Sequence, residues 1–93
     1  MNNQTILKYA ACIAWQIERT EGFVYINNIK TGDFIYFENV SKDIWLAIDG
    51  KNSMSDIVSK IASMYGVEES LVTDDVFEFA AGLCSNGVVV ENE

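Results

Sequence analysis

Gly32-Asp33-Phe34-Ile35-Tyr36-Phe37-Glu38, followed after a few residues by Asp43-Ile44-Trp45-Leu46-Ala47-Ile48-Asp49-Gly50, decides the fold. The first segment reads as a short alternating strand rich in aromatic and β-branched residues. The second reads as a compact helix stopped by a glycine. Two more helical patterns follow, Asp56 to Gly66 and Asp75 to Leu83, and Gly87-Val88-Val89-Val90 closes the run. A strand leading into three short helices is the outline of a winged helix-turn-helix, a shape associated with DNA. The charges oppose that use. Six Lys plus Arg stand against 14 Asp plus Glu, a formal charge of -8, so the phosphate attraction that drives non-specific nucleic-acid binding becomes repulsion.

Working back toward the start, Cys12 to Glu18 alternate, with Ile13, Trp15 and Ile17 on one face and Ala14, Gln16 and Glu18 on the other. Glu21-Gly22 offers a tight turn into Phe23-Val24-Tyr25-Ile26. Asn27-Asn28 and Lys30-Thr31-Gly32-Asp33 supply a second turn. The expectation is a three-stranded antiparallel meander followed by three helices, an α+β winged helix-turn-helix. If Val24, Ile26, Ile35 and Phe37 face the helices, then Tyr25, Phe34 and Tyr36 make an unusually aromatic outer face; alternation alone leaves the choice open. A third strand at the sheet edge would carry unpaired N–H and C=O groups. Without proline, repeats or low-complexity stretches, the 93 residues form one domain, long enough to bury roughly 60–65% of the unfolded chain's surface.

The helices have punctuation. Ser41 is a candidate N-cap for the first and Gly50 its stop; Ser53 or Ser55 starts the second and Gly66 ends it. The apolar stripe of the second is Ile57, Ile61 and Met64, with Val58 and Ala62 beside them. On the third, from about Ser70 to Ser85, Val72, Val76, Phe79, Ala80 and Leu83 form the expected core face. A second stripe, Thr73, Phe77, Ala81 and Cys84, lies beside it. Either the helix is wedged between sheet and helix pair, or this stripe, with Asp74 next to it, lines a groove along the sheet edge. In such a groove an extended peptide could add to the strand through its backbone and drop side chains into apolar pockets.

Catalysis finds little foothold. There is no histidine, no Gly-x-Ser-x-Gly elbow and no glycine-rich phosphate loop. Cys12 and Cys84 are far apart, match no metal spacing and read as small apolar residues. Glu68-Glu69 and Asp74-Asp75 straddle the start of the third helix, where the helix dipole favours carboxylates without a metal. No enzyme activity, cofactor or metal is expected. The first residues lack a basic segment followed by an apolar run, and there is no apolar span of about 20 residues. The expectation is therefore a cytoplasmic protein with no membrane and no nucleic acid among its partners.

Taken together, Thr31 to Phe37, Asp43-Ile44-Trp45-Leu46 with Asp49-Gly50, Asp56-Ile57-Val58 to Tyr65-Gly66, and Asp75-Val76 to Leu83 to Gly87-Val88 resemble the PqqD-like family. These are stand-alone recognition elements for the precursors of ribosomally synthesised, modified peptide natural products (RiPP recognition elements). The resemblance covers about residues 12 to 90, taken as the core of a single PqqD-like domain spanning 1–93. It implies a non-catalytic peptide chaperone that binds the leader segment of a precursor and presents it to a modifying enzyme. That enzyme would be a radical SAM enzyme, or the leader peptidase and cyclase of lasso peptide synthesis. It also implies that the leader adds as a strand beside the third strand and touches the third helix. The implied peptide-binding residues are Asp33, Phe34, Ile35, Tyr36, Phe37, Glu38, Thr73, Asp74, Phe77, Ala81 and Cys84. Phe37-Glu38-Asn39 stands where many relatives have leucine followed by asparagine. Two alternatives stay open: a subunit or dimerisation module pairing through the sheet edge, so that the protein is a monomer or an edge-paired dimer, and, more remotely, a winged-helix DNA-binding regulator.

Overall fold

The computed structural model describes every residue except Glu21 and Glu93. In chain order the elements are β1 (Leu7–Tyr9), β2 (Ile13–Glu18), β3 (Phe23–Asn28), β4 (Phe34–Phe37), α1 (Asn39–Ala47), α2 (Met54–Tyr65), α3 (Thr73–Ser85) and β5 (Val89–Glu91), with a 3₁₀ turn at Glu69–Leu71 before α3. The chain is thus α+β, with the expected antiparallel meander in the order β2-β3-β4. Its register pairs Trp15 with Ile26, Ile17 with Val24, Ile26 with Ile35 and Val24 with Phe37. Val24 and Ile26 are buried, and Ile35 and Phe37 pack half-buried against the core, whereas Phe34 and Tyr36 are 58% and 59% exposed. The aliphatic set therefore faces the helices, and the outer face is the aromatic one.

The hairpin between β3 and β4 is held by Asn28, whose Oδ1 accepts from the N–H groups of Lys30 and Thr31 at 3.1 and 3.2 Å. This is the local side-chain-to-backbone bonding that makes Asn a turn former. Of the turn expected at Glu21-Gly22, Glu21 lies outside the described residues. Gly22 has a φ of 77°, and its N–H reaches the Glu18 carbonyl at 3.0 Å.

The second helix follows its sequence signals closely. Ser53 Oγ accepts from the Asp56 N–H and Asp56 Oδ2 accepts from the Ser53 N–H, a reciprocal capping box. Gly66, in the left-handed region at φ 65°, ends the helix. Ile57, Val58, Ile61 and Ala62 are buried as expected. Met64 is not: it sits in the last turn, beyond the core, and is 54% exposed, while Met54 at the other end is fully buried in its place. Ser41 is no cap either. The helix α1 begins at Asn39 after an N-cap Glu38 that makes no side-chain bond. Its end is Ile48, with the left-handed Gly50 in the loop beyond. The start expected near Ser70 is taken by the 3₁₀ turn, whose Glu69 carbonyl accepts from Thr73 Oγ1 at 2.7 Å.

An additional pairing joins the two ends of the fold. Strand β1 runs antiparallel to β5 as a two-stranded ribbon, Leu7 opposite Glu91 and Tyr9 opposite Val89. Gly50 N–H bonds the Leu7 carbonyl at 3.1 Å, and Asn92 Nδ2 bonds the Gly50 carbonyl at 2.8 Å, so the ribbon is tied to the loop between α1 and α2. Leu7 and Val89 are buried in the same cluster as Trp45, Ile57 and Leu83. The core thus begins before the expected residue 12.

Two outcomes follow. Leu7→Ala should cost about 2–5 kcal/mol in urea unfolding, as for a core leucine, rather than the few tenths expected of a loose terminus. Tyr9 OH donates to the Trp45 carbonyl at 2.5 Å, and burial, then the Asp49 carboxylate, hold its phenol well above its ordinary value of 10.0. A raised folded value gives stability that is complete below the unfolded value and is lost as pH rises through the folded one. Melts should therefore fall as pH rises past about 10. In Tyr9→Phe that alkaline decline should shrink, at a cost of about 1 kcal/mol near neutrality.

Candidate functional site

Strand β4 lies at the edge of the meander, hydrogen-bonded to β3 on one side only. Next to its open side runs α3, and between them lies a groove of about 440 Å³. Ile35 and Phe37 line it from the strand; Asp75, Glu78, Phe79 and Gly82 line it from the helix and Asn86 from the helix C-cap, with buried Leu83 and Val88 completing the wall. The helix positions recur at three- and four-residue steps, so they form one face. Phe37 and Phe79 meet edge to face at 4.9 Å, joining strand and helix. A second hollow of about 290 Å³ shares Ile35, Asn86 and Val88 and continues the trough to Asn28, Asp33 and Phe34.

The strand half of the expected site and this trough coincide in part. Asp33, Ile35 and Phe37 line it, Phe34 only borders its far end with a side chain that stands on the outer face as Tyr36 does, and Glu38 occupies the N-cap of α1. The helix half of the expected site lies elsewhere on α3. Thr73, Asp74, Phe77, Ala81 and Cys84 do not line the groove. Two residues along a helix are about 200° apart, so Phe77 and Phe79 point to opposite sides. With Val76, Ala80 and Leu83 buried between them, Phe79 reaches the sheet edge while Phe77 and Cys84 pack half-buried on the far flank. Phe79 packs against the core as expected and also reaches the groove, whereas Asp75, Glu78 and Gly82 form no apolar stripe in the sequence. The signal was nonetheless present, since those residues border the core face on the side opposite Phe77.

The groove is apolar at its base and acidic at its rim. Asp75 and Glu78 are exposed on α3, and Asp75, in the first turn, is favoured there by the positive end of the helix dipole. The helix carries no Lys or Arg, so it lacks the positive charge a DNA-recognition helix needs. The Cys84 thiol is pushed up, first by burial and then by the Glu91 carboxylate, which disfavours the reactive thiolate. Among the described residues no cluster of three or more His, Cys, Asp or Glu could hold a metal ion, and no helix is long and apolar enough to cross a membrane.

A family model described as coenzyme PQQ synthesis protein D (PqqD) matches residues 24–89. The chain belongs to the PqqD family. The matched span starts in β3 and ends in β5, so it contains β4, α3 and the trough between them. Among solved structures, this PqqD-family chain is similar to TbiB1 in complex with the TbiA(beta) leader peptide, with a TM-score of 0.79 and 20% sequence identity. The alignment covers 88% of this chain and 93% of that one. At that identity the likeness is one of fold. No match was found among curated proteins.

The junction that ends β4 generates a prediction. Asn39 has a φ of 58°, the only non-glycine residue described with positive φ. Asn tolerates the left-handed region better than most residues, and a β-branched side chain tolerates it poorly. Asn39→Val should lower stability by about 1–2 kcal/mol. Asn39→Gly should stay within a few tenths of wild type in the same denaturation assay.

Proposed function

We propose that this protein is a non-catalytic recognition element. It binds the leader segment of a ribosomally synthesised precursor peptide by strand addition and presents it to a modifying enzyme. The observation that carries this reading is the unpaired edge of β4 beside an apolar trough with an acidic rim. An open edge supplies backbone affinity and the trough supplies side-chain selectivity, which together are the two requirements of strand-addition binding. Membership of the PqqD family and a leader peptide in the complex of the structural neighbour both support it. The modifying enzyme is then a radical SAM enzyme or a leader peptidase acting with a cyclase. Binding residues are Asp33 to Glu38 on the strand, with Asp75, Glu78, Phe79 and Gly82 replacing the far-flank stripe on α3.

Amide shifts on titration with a leader peptide test the site. They should concentrate at Phe34 to Phe37 and along Phe79, Gly82 and Asn86; shifts confined to α2 would displace it. Phe79→Ala should weaken binding by about 1–3 kcal/mol, whereas Phe77→Ala should leave affinity within about 0.5 kcal/mol and act on stability instead. A reversed order would restore the far flank as the binding face. The acidic rim favours leaders with Lys or Arg beside their apolar residues. Raising salt from low to physiological should therefore slow association and barely alter dissociation. Size-exclusion chromatography with and without peptide separates this reading from edge-to-edge dimerisation, which the peptide should disrupt.

A further inference from the structure

Bond parity along β4 dictates where an added strand would put its side chains. In an antiparallel ladder, residues that exchange backbone bonds with one neighbour alternate with residues that turn theirs to the other side. Asn28 N–H donates to the Asp33 carbonyl at 2.9 Å, and the register continues through Ile26 with Ile35 and Val24 with Phe37. Asp33, Ile35 and Phe37 therefore bond toward β3. Phe34 and Tyr36 turn their N–H and C=O groups to the open edge, while their side chains stand exposed on the outer face.

That outer face holds a chain of aromatic contacts. Phe23 meets Tyr25 at 4.7 Å and Tyr36 at 5.5 Å, and Tyr25 meets Phe34 at 5.1 Å. The series stops at Phe34 and Tyr36, the last strand before the open edge. A strand bonded there places the residues opposite Phe34 and Tyr36 on this same face, with side chains about 5 Å away, and sends the intervening residues into the trough.

We infer that the bound peptide is read on both faces. Trough-side positions are chosen for apolar and basic character, and the positions between them for aromatic or β-branched side chains that extend the outer aromatic series. This rests on the strand-addition reading above and adds to it a peptide class, one with two interleaved preferences at a two-residue period. A one-sided site would ignore the outward positions.

A display library of random linear peptides, selected in parallel on the wild-type protein and on Phe34→Thr/Tyr36→Thr, tests this. Threonine keeps strand propensity, and both positions are exposed, so the variant should melt close to wild type. Wild-type selection should enrich both preferences; the variant should keep the trough-side preference and lose the outward one. In one selected peptide, replacing the outward aromatic residues by Ser should weaken binding to wild type about two- to tenfold, and to the variant less than about twofold. Unbiased outward positions, or equal losses on both proteins, would overturn the inference; if selected peptides still shift the Phe34 and Tyr36 amides, strand addition survives it. Selected peptides that shift no β4 amide, or no enrichment at all, would overturn both.

Discussion

Trp45 is the joint on which the structure depends. It is fully buried on α1, with Tyr9 of β1 stacked on it at 4.4 Å, Trp15 of β2 at right angles at 6.1 Å and Phe37 of β4 at 6.0 Å. One side chain thus touches the terminal ribbon, both edge strands of the meander and the first helix. Its indole N–H has no hydrogen-bond partner among the described residues, a cost of about 1–3 kcal/mol. Burying roughly 200 Å² of aromatic surface at about 25 cal/mol per Å² contributes about 5 kcal/mol, so burial wins. Because Phe37 touches both Trp45 and Phe79, the spacing of β4 and α3 is set through the same cluster that fixes sheet against helix.

What could be read in the sequence is what local chemistry decides. A serine start for α2, fixed at Ser53 only by its reciprocal bonds with Asp56, the Gly66 stop, the turn around Asn27-Asn28 and the meander all depend on residues within a few positions of one another. The β1–β5 ribbon escaped because three-residue strands show no period, and their pairing joins opposite ends of the chain. The start of α1 escaped because a backbone conformation at Asn39, rather than a capping hydroxyl, turns the chain into the helix.

The site divides in the same way. An edge position for the third strand follows from a simple meander, so Asp33 to Phe37 were within reach. The facing side of α3 was not, because both flanks of Val76, Ala80 and Leu83 carry a phenylalanine and only the docking angle of the helix selects Phe79 over Phe77. Sequence shows how wide an apolar arc is; tertiary packing decides which border of it meets a neighbour.

The brevity of β4 and the left-handed residue behind it also bear on solubility. Four residues at about 3.3 Å each give an open edge of only about 13 Å before Asn39 swings the backbone away. An edge able to accept a strand is also able to template aggregation, and natural sheets guard against that with short, bent or charged edges. Here the strand is short, its end is turned by Asn39, and Asp33 and Glu38 flank it with negative charge. Docking of one short segment is thereby permitted, while the long in-register stacking that builds fibrils is denied its template.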